Sequence, residues 1–101
     1  MLESFISLGI LTMSWYGPGF DGKLTASGRV FNQNQYTCAH KYLPFGTKLV
    51  ITNKYNKILM VTVTDRGPFV YGRDLDLSKG AFKALFSLSS GVIRAKVLKK
   101  Q

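Results

Sequence analysis

Val61-Thr-Val-Thr-Asp-Arg-Gly-Pro-Phe69 is the stretch on which the reading of this chain turns. Successive side chains of a strand point to opposite faces, so Val61 and Val63 share one face and Thr62 and Thr64 the other. Asp65 continues the valine parity at the strand end. Gly67-Pro68 then turns the chain, since glycine tolerates positive φ and proline fixes its own. A carboxylate at the mouth of a strand, beside a rigid turn, is placed for proton transfer. Its plainer role is to accept hydrogen bonds from the amides of its own turn.

Working outward, Ile58–Thr64 is rich in β-branched residues, and Thr47–Thr52 puts Leu49 and Ile51 on one face. Asn53–Lys57 between them has the polarity of a hairpin connection. Downstream, Ser78 is expected to cap a helix over Lys79–Phe86, with Asp76 just before its positive end. Ala81 and Leu85 form one apolar stripe of that helix and Phe82 and Phe86 the adjoining one, which is core packing. Val92–Leu98 is the last strand. Upstream, Ile10–Tyr16 is the first strand, broken by Gly17-Pro18-Gly19. Phe20–Gly28 and Asn32–Tyr36 are irregular, with a turn at Thr25–Gly28. Cys38–His40 is a strand end or a loop, and Leu43–Gly46 is a turn. This order of elements predicts a mainly β, barrel-like domain carrying one short helix.

The length of 101 residues is that of one domain. Residues 1–13 are set apart as an N-terminal lead-in or truncated export segment, ahead of a domain over 14–101. The apolar run Phe5–Met13 is too short to span a bilayer. It lacks the basic start of a signal peptide, and Glu3 is acidic. Fourteen Lys and Arg against five Asp and Glu give a formal charge of +9. That charge suits polyanions: an acidic cell-wall polymer, an anionic membrane surface or nucleic acid. The basic residues are dispersed, and no nucleic-acid motif accompanies them.

The chemistry on offer is narrow. One histidine and one cysteine exclude a His-rich metal centre within the chain and an intrachain disulfide. No phosphate loop or nucleophile elbow is present, and no metal or other cofactor is expected. Cys38 and His40, two apart, orient poorly for a thiol–imidazole pair, so Cys38 reads as a small buried filler. Asp65 with His40 is the stronger combination, since a carboxyl can donate a proton to a glycosidic oxygen while a polar neighbour holds the geometry. Arg66, next along the strand, would point away from Asp65. Trp15 and Tyr16 are candidates to stack on sugar faces.

The same residues resemble a known family. Ser14-Trp-Tyr-Gly17, Thr25-Ala-Ser-Gly28, Ala39-His-Lys41, Leu43-Pro-Phe-Gly-Thr47, Val63-Thr-Asp-Arg-Gly-Pro-Phe69 and Asp76-Leu-Ser78 are similar, in order, to the RlpA-like (rare lipoprotein A) domain. The resemblance spans about residues 14 to 98. It implies a six-stranded double-psi β-barrel, a fold shared with barwin and expansins. It also implies a monomeric lytic transglycosylase of the bacterial cell envelope, periplasmic or at the surface. Such an enzyme cuts peptidoglycan glycan strands lacking stem peptides and leaves 1,6-anhydro-muramic ends. On this resemblance Asp65 is the acid/base and His40 its assistant. Trp15, Tyr16, Lys41 and Arg66, inside the matching blocks, are expected on the substrate side. The sequence departs at Arg29, where the family often has glutamate. That departure keeps open an expansin-like module that grips glycan without cutting it.

Overall fold

The computed structural model describes residues 4–101. Glu3, with the rest of residues 1–3, lies outside the described residues. Six strands form one closed barrel: β1 (Phe5–Tyr16), β2 (Thr37–His40), β3 (Lys48–Thr52), β4 (Ile58–Asp65), β5 (Leu75–Ser78) and β6 (Ile93–Lys100). Among the described residues there is one α-helix, α1 (Lys79–Leu85), which follows β5 directly. Around the barrel the order is β1-β5-β2-β4-β3-β6. The β1–β5 and β2–β4 pairs are parallel and the other four antiparallel. This is the expected six-stranded barrel with one helix.

The alternation read from sequence builds the interior. Met13, Cys38, Leu49, Ile51, Val61, Val63, Leu75, Leu77 and Val97 are fully buried there. Phe82 closes the helix side and Ala81 and Leu85 pack beside it, as the helical stripe requires. Removing a phenyl group of that kind costs about 3–5 kcal/mol. The Ser78 hydroxyl accepts from Ala81 N at 3.3 Å, so it is the helix cap. Gly80 is required by packing: its N–H donates to Gln33 O at 2.7 Å, and a Cβ would meet the Gln33 and Asn34 carbonyl oxygens at 2.9 Å. In the β3–β4 hairpin the Asn53 side chain accepts from the amides of Tyr55 and Lys57 and donates to Leu85 O, tying the turn to α1.

Three expectations change. The first strand starts at Phe5, not Ile10, and pairs with β6 from Phe5↔Lys100 to Met13↔Ile93. The boundary drawn between residues 13 and 14 therefore falls inside a strand. Cys38–His40 belongs to a strand buried along its whole length, between β4 and β5. Leu75–Ser78, whose Asp76 had been assigned to the helix end, is itself a strand, and the Asp76 carboxylate bonds Ser14 across it rather than capping α1.

Candidate active site

Parity alone would send Asp65 into the barrel interior behind Val61 and Val63. A register shift prevents this. Cys38 pairs with Val63, but the next residue, Ala39, pairs with Asp65, so Thr64 is an extra residue in β4. Such a bulge re-aims the side chain that follows it. Asp65 thereby joins the face of Ala39, which is opposite that of the core residue Cys38. Ala39 also pairs with Asp76, and Asp76 with Ser14. One row thus crosses four strands in the order Asp65, Ala39, Asp76, Ser14. Two carboxylates flank a methyl group.

Asp65 is held from both sides. Its Oδ1 accepts from Arg66 N at 2.9 Å, the bond to its own turn, and from Ala26 N at 2.9 Å. The second bond comes from the Thr25–Gly28 turn, which also donates from Ser27 N to Thr64 O. The turn is closed internally by the Thr25 hydroxyl, which donates to Arg29 O at 2.7 Å. The Asp65 carboxylate also faces the Tyr16 hydroxyl.

Asp76 is half-buried, and its Oδ1 accepts from the Ser14 hydroxyl at 3.0 Å. Burial raises its pKa and the nearby Asp65 charge adds to the rise, against lowering by the Ser14 bond and Arg73. Tyr16 lies two residues beyond Ser14, on the same face of β1. Its phenol is pushed upward too, first by burial and then by Asp65 and Asp76. The Tyr16 hydroxyl is buried without a hydrogen-bond partner. A neutral hydroxyl therefore sits beside the two carboxylates.

The other expected site residues are distributed differently. His40 Nδ1 accepts from the amides of Tyr42 (3.2 Å) and Leu43 (3.1 Å). Nδ1 is therefore unprotonated. Burial lowers the imidazole pKa, Arg66 lowers it further, and Asp74 opposes both. No hydrogen bond joins His40 to Asp65 among the described residues. The histidine instead lines a small cavity with Leu8, Leu11, Lys41, Tyr42, Leu43 and Asp74. What connects the two is Arg66. Its backbone N–H holds Asp65, while Nη1 donates to Leu43 O (2.9 Å) and His40 O (3.3 Å). The guanidinium also stacks on Phe45 at 4.0 Å. Lys41 donates to Arg73 O at 2.8 Å.

Both N-terminal aromatics are half-buried. Trp15 packs on the core and donates from Nε1 to Leu88 O at 3.2 Å. Tyr16 stacks on Phe31 at 4.6 Å and meets the edge of Phe20 at 5.5 Å. Exposed aromatics lie elsewhere, just beyond the Asp65 turn: Phe69 is 85% and Tyr71 101% exposed. Sequence reasoning missed them, although a glycine-flanked loop carrying two aromatics after a catalytic-type turn was a usable signal. It also missed Asp76 as a partner of Asp65; the apolar alternation of Leu75 and Leu77 was the clue. Arg29 is exposed, reaches Gln35 Oε1 at 3.4 Å and makes no contact with Asp65. Cys38 is fully buried, and burial drives its thiol pKa up, so it is unreactive. Among the described residues no group of three or more His, Cys, Asp or Glu side chains could hold a metal ion.

Comparison with known proteins bears on the family and the fold. The family model described as "Lytic transglycolase" matches residues 10–97. A Synechocystis protein named "Probable endolytic peptidoglycan transglycosylase RlpA" is 55% identical over 80 residues, covering 78% of this chain and 25% of that protein. An Aquifex aeolicus protein of the same name is 54% identical over 89 residues, covering 85% of this chain and 39% of that one. The chain thus spans about a quarter to two fifths of the length of these relatives. Two solved structures share the fold. Streptomyces papain inhibitor has a TM-score of 0.72 at 21% identity, covering 96% of this chain and 94% of its own. The apo Clavibacter michiganensis expansin has a TM-score of 0.74 at 21% identity, covering 92% of this chain and 50% of its own. Family match, relatives and barrel together make this chain a member of the lytic transglycolase family, carrying an RlpA-like double-psi β-barrel domain.

Proposed function

We propose that this domain is a peptidoglycan lytic transglycosylase of the bacterial cell envelope, with Asp65 as its acid/base. The observation that carries the proposal is the Asp65–Ala39–Asp76–Ser14 row with the Tyr16 hydroxyl beside it. The substrate is a glycan strand lacking stem peptides. The Asp65 carboxyl protonates the glycosidic oxygen, and the bond from that oxygen to the muramic C1 breaks. The C6 hydroxyl oxygen of the same muramic residue bonds to C1, and its proton passes to the Asp65 carboxylate. Atoms balance without water: one strand becomes two, one of them ending in a 1,6-anhydro ring, and Asp65 is ready to donate again.

Asp76 is the second carboxylate of the row. When charged it stabilises positive charge developing at C1. His40 acts as a positioning residue: it caps the Tyr42 and Leu43 amides, Leu43 O takes Arg66, and Arg66 N takes Asp65. The exposed Phe69 and Tyr71 supply a sugar-stacking surface in addition to Trp15 and Tyr16. The test is incubation with glycan strands stripped of stem peptides. Anhydro-ended products by mass spectrometry support the reading. Glycan that is bound but uncut would make the domain an expansin-like binding module instead.

A further inference from the structure

Two adjoining depressions lie between the β3–β4 hairpin, the end of α1 and the start of β6. The larger, about 430 Å³, is lined by Lys54, Lys83 and Arg94 over a floor that includes Leu85 and Ile93. The smaller, about 270 Å³, continues past Lys54 and Arg94 to Lys96. Asn53, Lys54 and Arg94 line both, so the two form one groove. None of the site residues Asp65, Asp76, Tyr16 or His40 lines either.

The charge of this groove is one-signed, with four cations and no acidic lining residue. All four cationic side chains are exposed. Among the described residues Lys83, Arg94 and Lys96 make no side-chain hydrogen bond or ion pair, and Lys54 only lies over the Tyr55 ring at 5.2 Å. Unpaired like charges around a concavity repel one another, and a bound anion relieves that repulsion. Arg94 and Lys96, two apart on β6, point the same way about 7 Å apart. Lys83 lines only the larger depression, Lys96 only the smaller, and Lys54 and Arg94 both, so the cations follow the length of the groove. The Ser87 and Ser90 hydroxyls stand at the larger end, so donors reach the groove from both walls. A phosphate, with oxygens on several sides, can use donors from both walls and the forked guanidinium together. Two joined depressions take a chain laid along them, whereas a bilayer presents a flat surface.

We infer that this groove binds a linear phosphate-bearing polyanion, at a site separate from Asp65. The test is fluorescence anisotropy with labelled medium-chain inorganic polyphosphate. Lys54→Gln/Arg94→Gln/Lys96→Gln is compared with Lys23→Gln/Arg29→Gln/Lys48→Gln, which removes the same charge from exposed positions outside the groove. The groove variant should weaken binding about tenfold or more, with a shallower salt dependence, and the control less than about threefold. Retention on peptide-free glycan should be unchanged in both, which separates this site from the reading of Asp65. Equal losses in the two variants would reduce the effect to bulk charge and overturn the inference. So would failure of wild type to bind polyphosphate. The ligand is confined to a base-free phosphate chain, so groove-dependent binding that is tighter for single-stranded DNA, or for phosphatidylglycerol vesicles, than for polyphosphate would overturn the inference as well, assigning the groove to nucleic acid or to a membrane surface.

Discussion

Asp65 and Asp76 flank Ala39 in a single register row, brought there by one extra residue in β4. Without the bulge at Thr64, the parity of Val61 and Val63 would bury the Asp65 carboxylate in the core. With it, two carboxylates share one outer face. Each has a different environment: Asp65 is clamped by two amides, and Asp76 is desolvated and bonded to a hydroxyl.

Asp76→Asn should inactivate and stabilise together. The raised folded-state pKa means that the folded protein binds more protons than the unfolded chain, between the ordinary value of 3.8 and the folded one. Stability from this group is therefore lost as pH rises through the folded pKa, and ionised Asp76 costs stability at neutral pH. Asparagine removes that cost and still accepts from Ser14. Thermal unfolding at pH 7 should show a higher Tm than wild type, with turnover reduced at least about tenfold. An unchanged rate would remove Asp76 from the site.

The pH dependence of His40 has the opposite sign. Its folded pKa is lowered from 6.5, so the unfolded chain binds more protons below that value. The stability it contributes is present above pH 6.5 and is lost as pH falls through the folded pKa, when Nδ1 can no longer accept from Tyr42 and Leu43. His40→Ala should abolish this acid-side loss and destabilise the protein by about 1–3 kcal/mol at pH 7, since two amides lose their acceptor. Unfolding curves between pH 4 and 8 check both statements.

Gly80→Ala probes the fit of α1 against the 33–34 loop. The added methyl would meet two backbone carbonyl oxygens at 2.9 Å. Destabilisation of about 1–3 kcal/mol is expected from the overpacking, measured by urea denaturation. A neutral result would mean that the loop yields easily.

The aromatic assignments separate by a pair of substitutions. Tyr71→Ala alters a fully exposed side chain, so it should leave Tm unchanged while weakening glycan binding about two- to tenfold. Trp15→Ala should lower Tm through lost core contact and the lost bond to Leu88 O. Sacculus pull-down beside thermal unfolding distinguishes the two. Full glycan retention by Tyr71→Ala would exclude the exposed loop as the stacking surface.

Much of this was legible in the residues. Alternation in 47–52 and 58–64, the Ser78 cap and the helical stripe each reflect local physics, and each stands where local physics put it. The site was legible in part. The Asp65 turn announced itself, and the block Thr25-Ala-Ser-Gly28 is now explained as the clamp that donates from Ala26 N. What was hidden is non-local. The bulge at Thr64 exists only relative to β2, and the approach of Asp65 to Asp76 runs through β2, parallel to β4 and antiparallel to β5, which no spacing reveals. Trp15 and Tyr16 are half-buried and hold contacts with Leu88 and Phe31 that aromaticity alone does not reveal. His40 sits one residue past Ala39, the partner of Asp65, yet alternation turns its ring to the other face.

The central claim is that Asp65 shuttles a proton between the glycosidic oxygen and the muramic hydroxyl. Asp65→Asn keeps the side-chain shape and an oxygen able to accept from Ala26 N, but cannot carry that proton. The direct measurement is mass spectrometry of peptide-free glycan strands after incubation with wild type or with Asp65→Asn. The account predicts 1,6-anhydro-muramic ends from wild type and a loss of about 10²–10⁴-fold in their rate of formation with the variant, with glycan binding retained. Anhydro ends forming at the wild-type rate with Asp65→Asn would contradict it.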